Sequence, residues 1–245
     1  MVPANWEQRE RGHTDWVQLE RQRMHDFGTN LSTGDESSDQ DSPEPMNGTP
    51  IATDGGTTRW QPDGVGLDEP LPAALQSALG QFVGQDSVDT LGEWVTEVRE
   101  QTGGGSMDLE ALCHSSESTD HWGEMDGERY YFVCFYDAVI MAAIADEPVD
   151  IHTESPDGAV IEAHSLGGVD LSVTPESAVF SFGISTDAVT GDDGPTLQDG
   201  YEAVCPYVKA FPDRPAYEEW AETVDAATVA MPLAGATEIA RALAA

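Results

Sequence analysis

The chain reads as an α+β protein, with a helical N-terminal region followed by a mainly antiparallel sheet core with flanking helices. Three observations carry that reading. From Leu71 to Val98 apolar residues recur at three- and four-residue spacing, the period of helices with one buried face. Past Gly127, short aromatic and β-branched runs alternate with turn-forming clusters, the pattern of strands linked by tight turns. Between them, Ala138 to Ala145 is apolar at all eight positions and suits a helix buried on every side.

Residues 1–66 form a disordered, acidic and polar N-terminal extension on this reading. Arg9, Arg11, Arg21 and Arg23 fall in a charged opening stretch, and from Gly28 to Gly66 the composition turns to Gly, Ser, Thr, Asp and Pro. Such a segment is too polar to bury much. Residues 67–112 are the helical lead-in. Leu71, Leu75, Ala78, Leu79 and Phe82 make one apolar face; Val88, Leu91, Trp94, Val95 and Val98 make a second after a cap at Asp86 or Ser87. Gly103-Gly104-Gly105 breaks the run, and a short helix is expected over Met107 to Cys113. Helices in this order resemble a helix-turn-helix module, but with so few basic residues a plain helical brace is preferred.

Residues 113–245 are the core. Tyr130 to Val133 reads as a strand leading into the Ala138 to Ala145 helix. Val149 to Thr153, Ala159 to His164, Val169 to Val173 and Ala178 to Ile184 read as further strands, punctuated by Ser155-Pro156-Asp157-Gly158 and Gly167-Gly168. A Gly- and Asp-rich loop from Thr190 to Gly200 leads to an extended stretch, Tyr201 to Phe211. Pro215 opens a helix containing Tyr217 and Trp220, and Ala236 to Ala245 forms the last helix.

Charge bounds the setting more than the chemistry. Against 46 Asp and Glu stand 10 Lys and Arg, for a formal net charge of -36, and Lys209 is the one lysine. Self-repulsion on that scale destabilises a compact state unless salt screens it, which points to a halophilic, cytoplasmic setting. The acids are spread along the chain, which disfavours an acidic mimic of a basic surface. No basic stripe is present to neutralise phosphates, so nucleic acid is not an expected partner. No run of 18 apolar residues is present and the first residues are polar and charged, so neither a membrane span nor a secretory signal is expected. Three irregularly spaced cysteines make no disulfide framework and fit a reducing compartment.

Those cysteines hold the chemistry. Cys134 and Asp137 stand one helical turn apart where the aromatic strand runs into the apolar helix, and Cys205 follows in Val204-Cys205-Pro206-Tyr207. A thiolate is a soft nucleophile and a soft-metal ligand, and a helix N-terminus favours its charge. Asp137 opposes that effect if ionised, and becomes a proton donor if apolar neighbours keep it protonated. Alone, Cys-x-x-Asp is equally a buried inert cysteine beside a helix-capping aspartate. Leu112-Cys113-His114 with Asp120 and His121 fits no standard zinc spacing and reads as a loop with a semi-exposed thiol. His152 and His164 fall on expected strands as surface or hydrogen-bonded residues. The aromatic cluster from Tyr130 to Tyr136 is core packing that would also form a dry pocket for an organic group.

The segment from Tyr131 to Ile140 resembles the active-site segment of the alkylmercury (organomercurial) lyases. There an aromatic strand leads into Cys-x-x-Asp and an apolar helix. Val169-Asp170-Leu171-Ser172-Val173-Thr174-Pro175 resembles the family's strand and following turn. Cys205, with Trp220 fifteen residues on, resembles its second catalytic cysteine region. The resemblance covers roughly 127–231. It implies that Cys134 and Cys205 bind the mercury of an organomercurial, and that Asp137 delivers a proton to the departing carbon. The products would be a hydrocarbon and Hg(II), formed without an organic cofactor as part of mercury detoxification. Hg(II) would leave to cellular thiols or a mercuric reductase. Two positions depart from the family pattern: Pro206 stands where a further cysteine often follows the second catalytic one, and Glu154 where another occurs. The alternative reading is a non-catalytic mercury or copper carrier or sensor, which needs Cys134 and Cys205 but has no use for the acid at Asp137.

Overall fold

A computed structural model describes residues 66–101, 104–167, 171–188 and 194–245. The expected extension over residues 1–66 lies, but for Gly66, outside the described residues, as does part of the loop from Thr190 to Gly200. Among the described residues, six α-helices accompany antiparallel sheets of five and three strands. The architecture is α+β.

Helix α1 (Ala73–Phe82) buries Leu75, Leu79 and Phe82, and α2 (Leu91–Gln101) buries Leu91, Trp94 and Val95. These are the faces that the helical spacing predicts. The expected helix over Met107 to Cys113 shrinks to a single 3-10 turn, Leu109–Ala111, begun by Asp108, whose carboxylate accepts from the Ala111 N–H. Next comes a hairpin, β1 (Trp122–Met125) and β2 (Glu128–Tyr131). Its two-residue turn places Asp126 at φ 54° and Gly127 at φ 77°, the left-handed pair that a tight hairpin demands. Only the second of these strands is expected from the sequence.

Helix α3 (Phe135–Ile144) is buried along every residue from Phe135 to Ala142. It packs on β1, on β3 (Pro148–Glu154) and on the last helix, α6 (Thr237–Ala244). Close approach to β1 depends on Gly123, since a Cβ there would lie 2.9 Å from the Met141 sulfur. The sheet continues through β4 (Val160–Leu166) and β5 (Leu171–Thr174), in the order β2-β1-β3-β4-β5. Along β3 burial alternates residue by residue, as a sheet with one covered face requires.

The smaller sheet has β6 (Val179–Ser185) at its centre, flanked by β7 (Ala210–Phe211) and β8 (Ala226–Pro232). Helix α5 (Arg214–Ala221) begins at the Asp213 cap with Pro215 in its first turn and packs on this sheet. Two expectations fail here. Tyr201 to Phe211 is not extended: helix α4 (Leu197–Ala203) runs into a 3-10 turn, Cys205–Tyr207, before the two-residue β7. A capping box at Thr196 and Asp199 starts that helix. Strand β8 was not expected at all. Tyr136 ties the halves of the core together, donating to the Ala236 carbonyl at 2.8 Å and stacking on Phe180 at 5.7 Å between centroids. No helix among the described residues is long and apolar enough to cross a membrane.

Candidate active site

Cys134 is the residue just before α3, with extended backbone (φ -117°, ψ 138°), and Asp137 lies in the helix's first turn. The aromatic strand thus ends just ahead of the thiol and the apolar helix begins behind it. Both side chains are buried, at 8% and 9% exposure. The Asp137 N–H donates to the Cys134 carbonyl at 3.3 Å, which closes the first turn of the helix.

Cys205 reaches this point from the other sheet. Its 3-10 turn is held to β6 by Ser181, which is fully buried: Ser181 Oγ donates to the Tyr207 carbonyl at 2.8 Å and accepts from the Lys209 N–H at 3.1 Å. The Cys134 thiol donates a weak hydrogen bond to the Val208 carbonyl at 3.9 Å, at the end of the same turn. Cys205 in turn hydrogen-bonds to Cys134 and keeps its own proton in doing so. That bond, then burial, then electrostatic coupling to Cys134, Asp137 and Cys113, push the Cys205 thiol well above its ordinary value.

The structure also brings in a third thiol. Cys113 lies beside the site because residues 113–115 run antiparallel to 131–133. The Val133 N–H donates to the Cys113 carbonyl at 3.0 Å, the Ser115 N–H to the Tyr131 carbonyl at 2.7 Å, and His114 bridges to Phe132. The Cys113 N–H donates to Asp137 Oδ1 at 3.1 Å. Burial, and then the Asp137 charge, raise this thiol's pKa, while the Tyr201 hydroxyl from α4 interacts with the sulfur and favours its thiolate. Tyr201 itself is raised, by burial first and then by electrostatic coupling to Cys113.

Asp137 sits at the centre. Burial raises its pKa from 3.8 to about 6, against the Cys113 N–H bond, the His114 charge and its own N–H. A carboxyl raised in this way can exchange its proton near neutrality, which suits general acid–base work. Burial helps to keep the Cys205 thiol protonated. A soft metal would have to displace the proton as it binds.

His114, His121, His152 and His164 have partners of their own. His114 Nε2 donates to the Leu109 carbonyl at 2.7 Å, and His121 Nδ1 lies 2.7 Å from Thr153 Oγ1. His164 pairs with Asp150 at 2.7 Å, and His152 stacks on Trp122. Among the described residues no group of three or more histidine, cysteine or acidic side chains is arranged to hold a metal ion. Sequence reasoning missed Cys113 and Tyr201 as neighbours of the site. The signal for Cys113 was its rarity, one of three cysteines in the chain.

A family model described as alkylmercury lyase, MerB, matches residues 114–245. A search of the curated proteins finds no match. Among solved structures, the mercury-bound form of MerB2 is similar at 19% identity with a TM-score of 0.42, over 54% of this chain and 61% of that one. The family match takes in more than half of the chain, including the strand, helix and turn that carry Cys134, Asp137 and Cys205. The chain belongs to the alkylmercury lyase family.

Proposed function

We propose that the protein cleaves carbon–mercury bonds by protonolysis, with Cys134 and Cys205 as the mercury-binding sulfurs and Asp137 as the proton carrier. The observation that carries this reading is the buried Asp137 carboxyl, with a pKa of about 6, set between thiols. An organomercurial R–Hg⁺ meets the sulfur of Cys134 or Cys205, and the thiol proton passes to the Asp137 carboxylate as the mercury–sulfur bond forms. That first proton is released to solvent, and the second thiol then adds to mercury and leaves its own proton on Asp137. Two electron-rich sulfurs weaken the carbon–mercury bond, and Asp137 returns a proton to carbon as it breaks, so no free carbanion forms. R–H departs, and Hg(II) remains on the two thiolates until external thiols or a reductase take it.

The residues that hold these groups belong to the same proposal. Ser181 fixes the Cys205 turn, and the Cys113 N–H orients the Asp137 carboxyl. Residues 67–112 serve as a helical lead-in to a core over 113–245. Burial of Cys134 keeps water from the breaking bond, and no organic cofactor is called for.

The proposal separates from a mercury carrier at Asp137. Asp137→Asn keeps an oxygen for the Cys113 N–H but cannot carry the proton. Hydrocarbon release should fall about 10²- to 10⁴-fold, while Hg(II) binding measured by competition with a chelating thiol persists. Normal turnover by this variant would remove Asp137 from the mechanism.

A further inference from the structure

Cys113 is unused in the two-thiol scheme, yet the fold clamps it there. Its carbonyl and N–H bond to Val133, next to Cys134, and to Asp137, at 3.0 and 3.1 Å. Its sulfur lies within electrostatic reach of Cys134, Asp137 and Cys205 and interacts with the Tyr201 hydroxyl. Cys134 is buried, whereas Cys113 and Cys205 are each partly exposed. Cys113 thus sets a further partly exposed thiol beside the pair. Among the described residues these side chains do not make a standing metal cage.

We propose that Cys113 is a relay thiol that takes Hg(II) from the Cys134–Cys205 pair and presents it to thiols in solution. The proposal rests on the lyase reading for the source of the metal. The step is a thiol exchange at Hg(II). The Cys113 sulfur forms a bond to mercury, one of the two existing mercury–sulfur bonds breaks, and the Cys113 proton ends on the sulfur that leaves, by way of the Asp137 carboxylate. Mercury stays Hg(II) throughout, so no oxidant or reductant is consumed. A solution thiol then repeats the exchange at Cys113. An internal thiol held at the metal competes with external thiol through its high effective concentration.

The test uses the full chain, loaded anaerobically with one equivalent of Hg(II) salt in molar KCl and mixed rapidly with excess glutathione. Transfer is followed by the loss of mercury–thiolate absorbance. Cys113→Ser and Cys113→Ala both keep the backbone N–H that holds Asp137. In both, transfer should slow by about tenfold or more while one Hg(II) still binds per chain. Transfer at the wild-type rate would overturn the relay. So would loss of Hg(II) binding in both variants, because Cys113 would then be a structural residue of the pair. The metal is supplied as a salt, so the result does not depend on carbon–mercury cleavage. Failure of the lyase reading would appear separately, as absence of benzene from phenylmercury with the wild-type protein.

Discussion

Asp137 is, among the described residues, the one acidic side chain that is buried, and its burial leaves a signature in stability. The unfolded carboxyl titrates near pH 4 and the folded one at about 6. Between those values the native state binds more protons than the unfolded state, so stability falls as pH rises through the window and levels off above it. Asp137→Asn removes the buried charge. It should be more stable than the wild type by about 1–3 kcal/mol at pH 8 and lose that advantage near pH 4. Urea unfolding at the two pH values checks this, and a difference that does not shrink on acidification would contradict it. Cys134, Asp137 and Cys205 were legible because a strand-to-helix junction and two rare thiols mark them locally. Cys113 and Tyr201 were not. Cys113 meets Asp137, 24 residues away, through a backbone bridge that no local pattern announces.

Cys205 owes its position to a short turn between α4 and β7, and the turn hangs on the Ser181 hydroxyl of β6. Ser181→Ala leaves the Tyr207 carbonyl and the Lys209 N–H each one partner short. It should cost about 1–3 kcal/mol in urea unfolding and weaken Hg(II) retention; unchanged values would mean that the turn is held elsewhere. This turn was misread as extended because aromatic and β-branched residues around Pro206 outweigh the short helix before it. The capping pair at Thr196 and Asp199 was the overlooked signal. Strand β1 was missed although Asp126-Gly127 marks a hairpin, since Trp122 to Met125 is short and half polar. Strand β8 is buried almost throughout and alanine-rich, so it shows no alternation to separate it from a buried helix. Strands β3 and β4, with one covered face, did alternate and were read almost to their ends.

The whole chain carries a net charge of -36, and packing must overcome that repulsion. Screening at about 3 Å in molar salt removes most of it. The thermal midpoint should therefore rise steadily from dilute buffer to molar KCl, and a flat response would mean that charge sets no limit on the fold. The family match says which lineage the chain belongs to; the proposed cleavage rests on Cys134, Cys205 and Asp137 acting together. The measurement to make is anaerobic turnover of phenylmercuric acetate in molar KCl with excess thiol, following benzene and Hg(II) together, beside Cys134→Ala and Cys205→Ala. Equal amounts of benzene and Hg(II), lost in both variants, is the expected result. Tight mercury binding by the wild-type protein with no benzene would contradict it and make the protein a carrier.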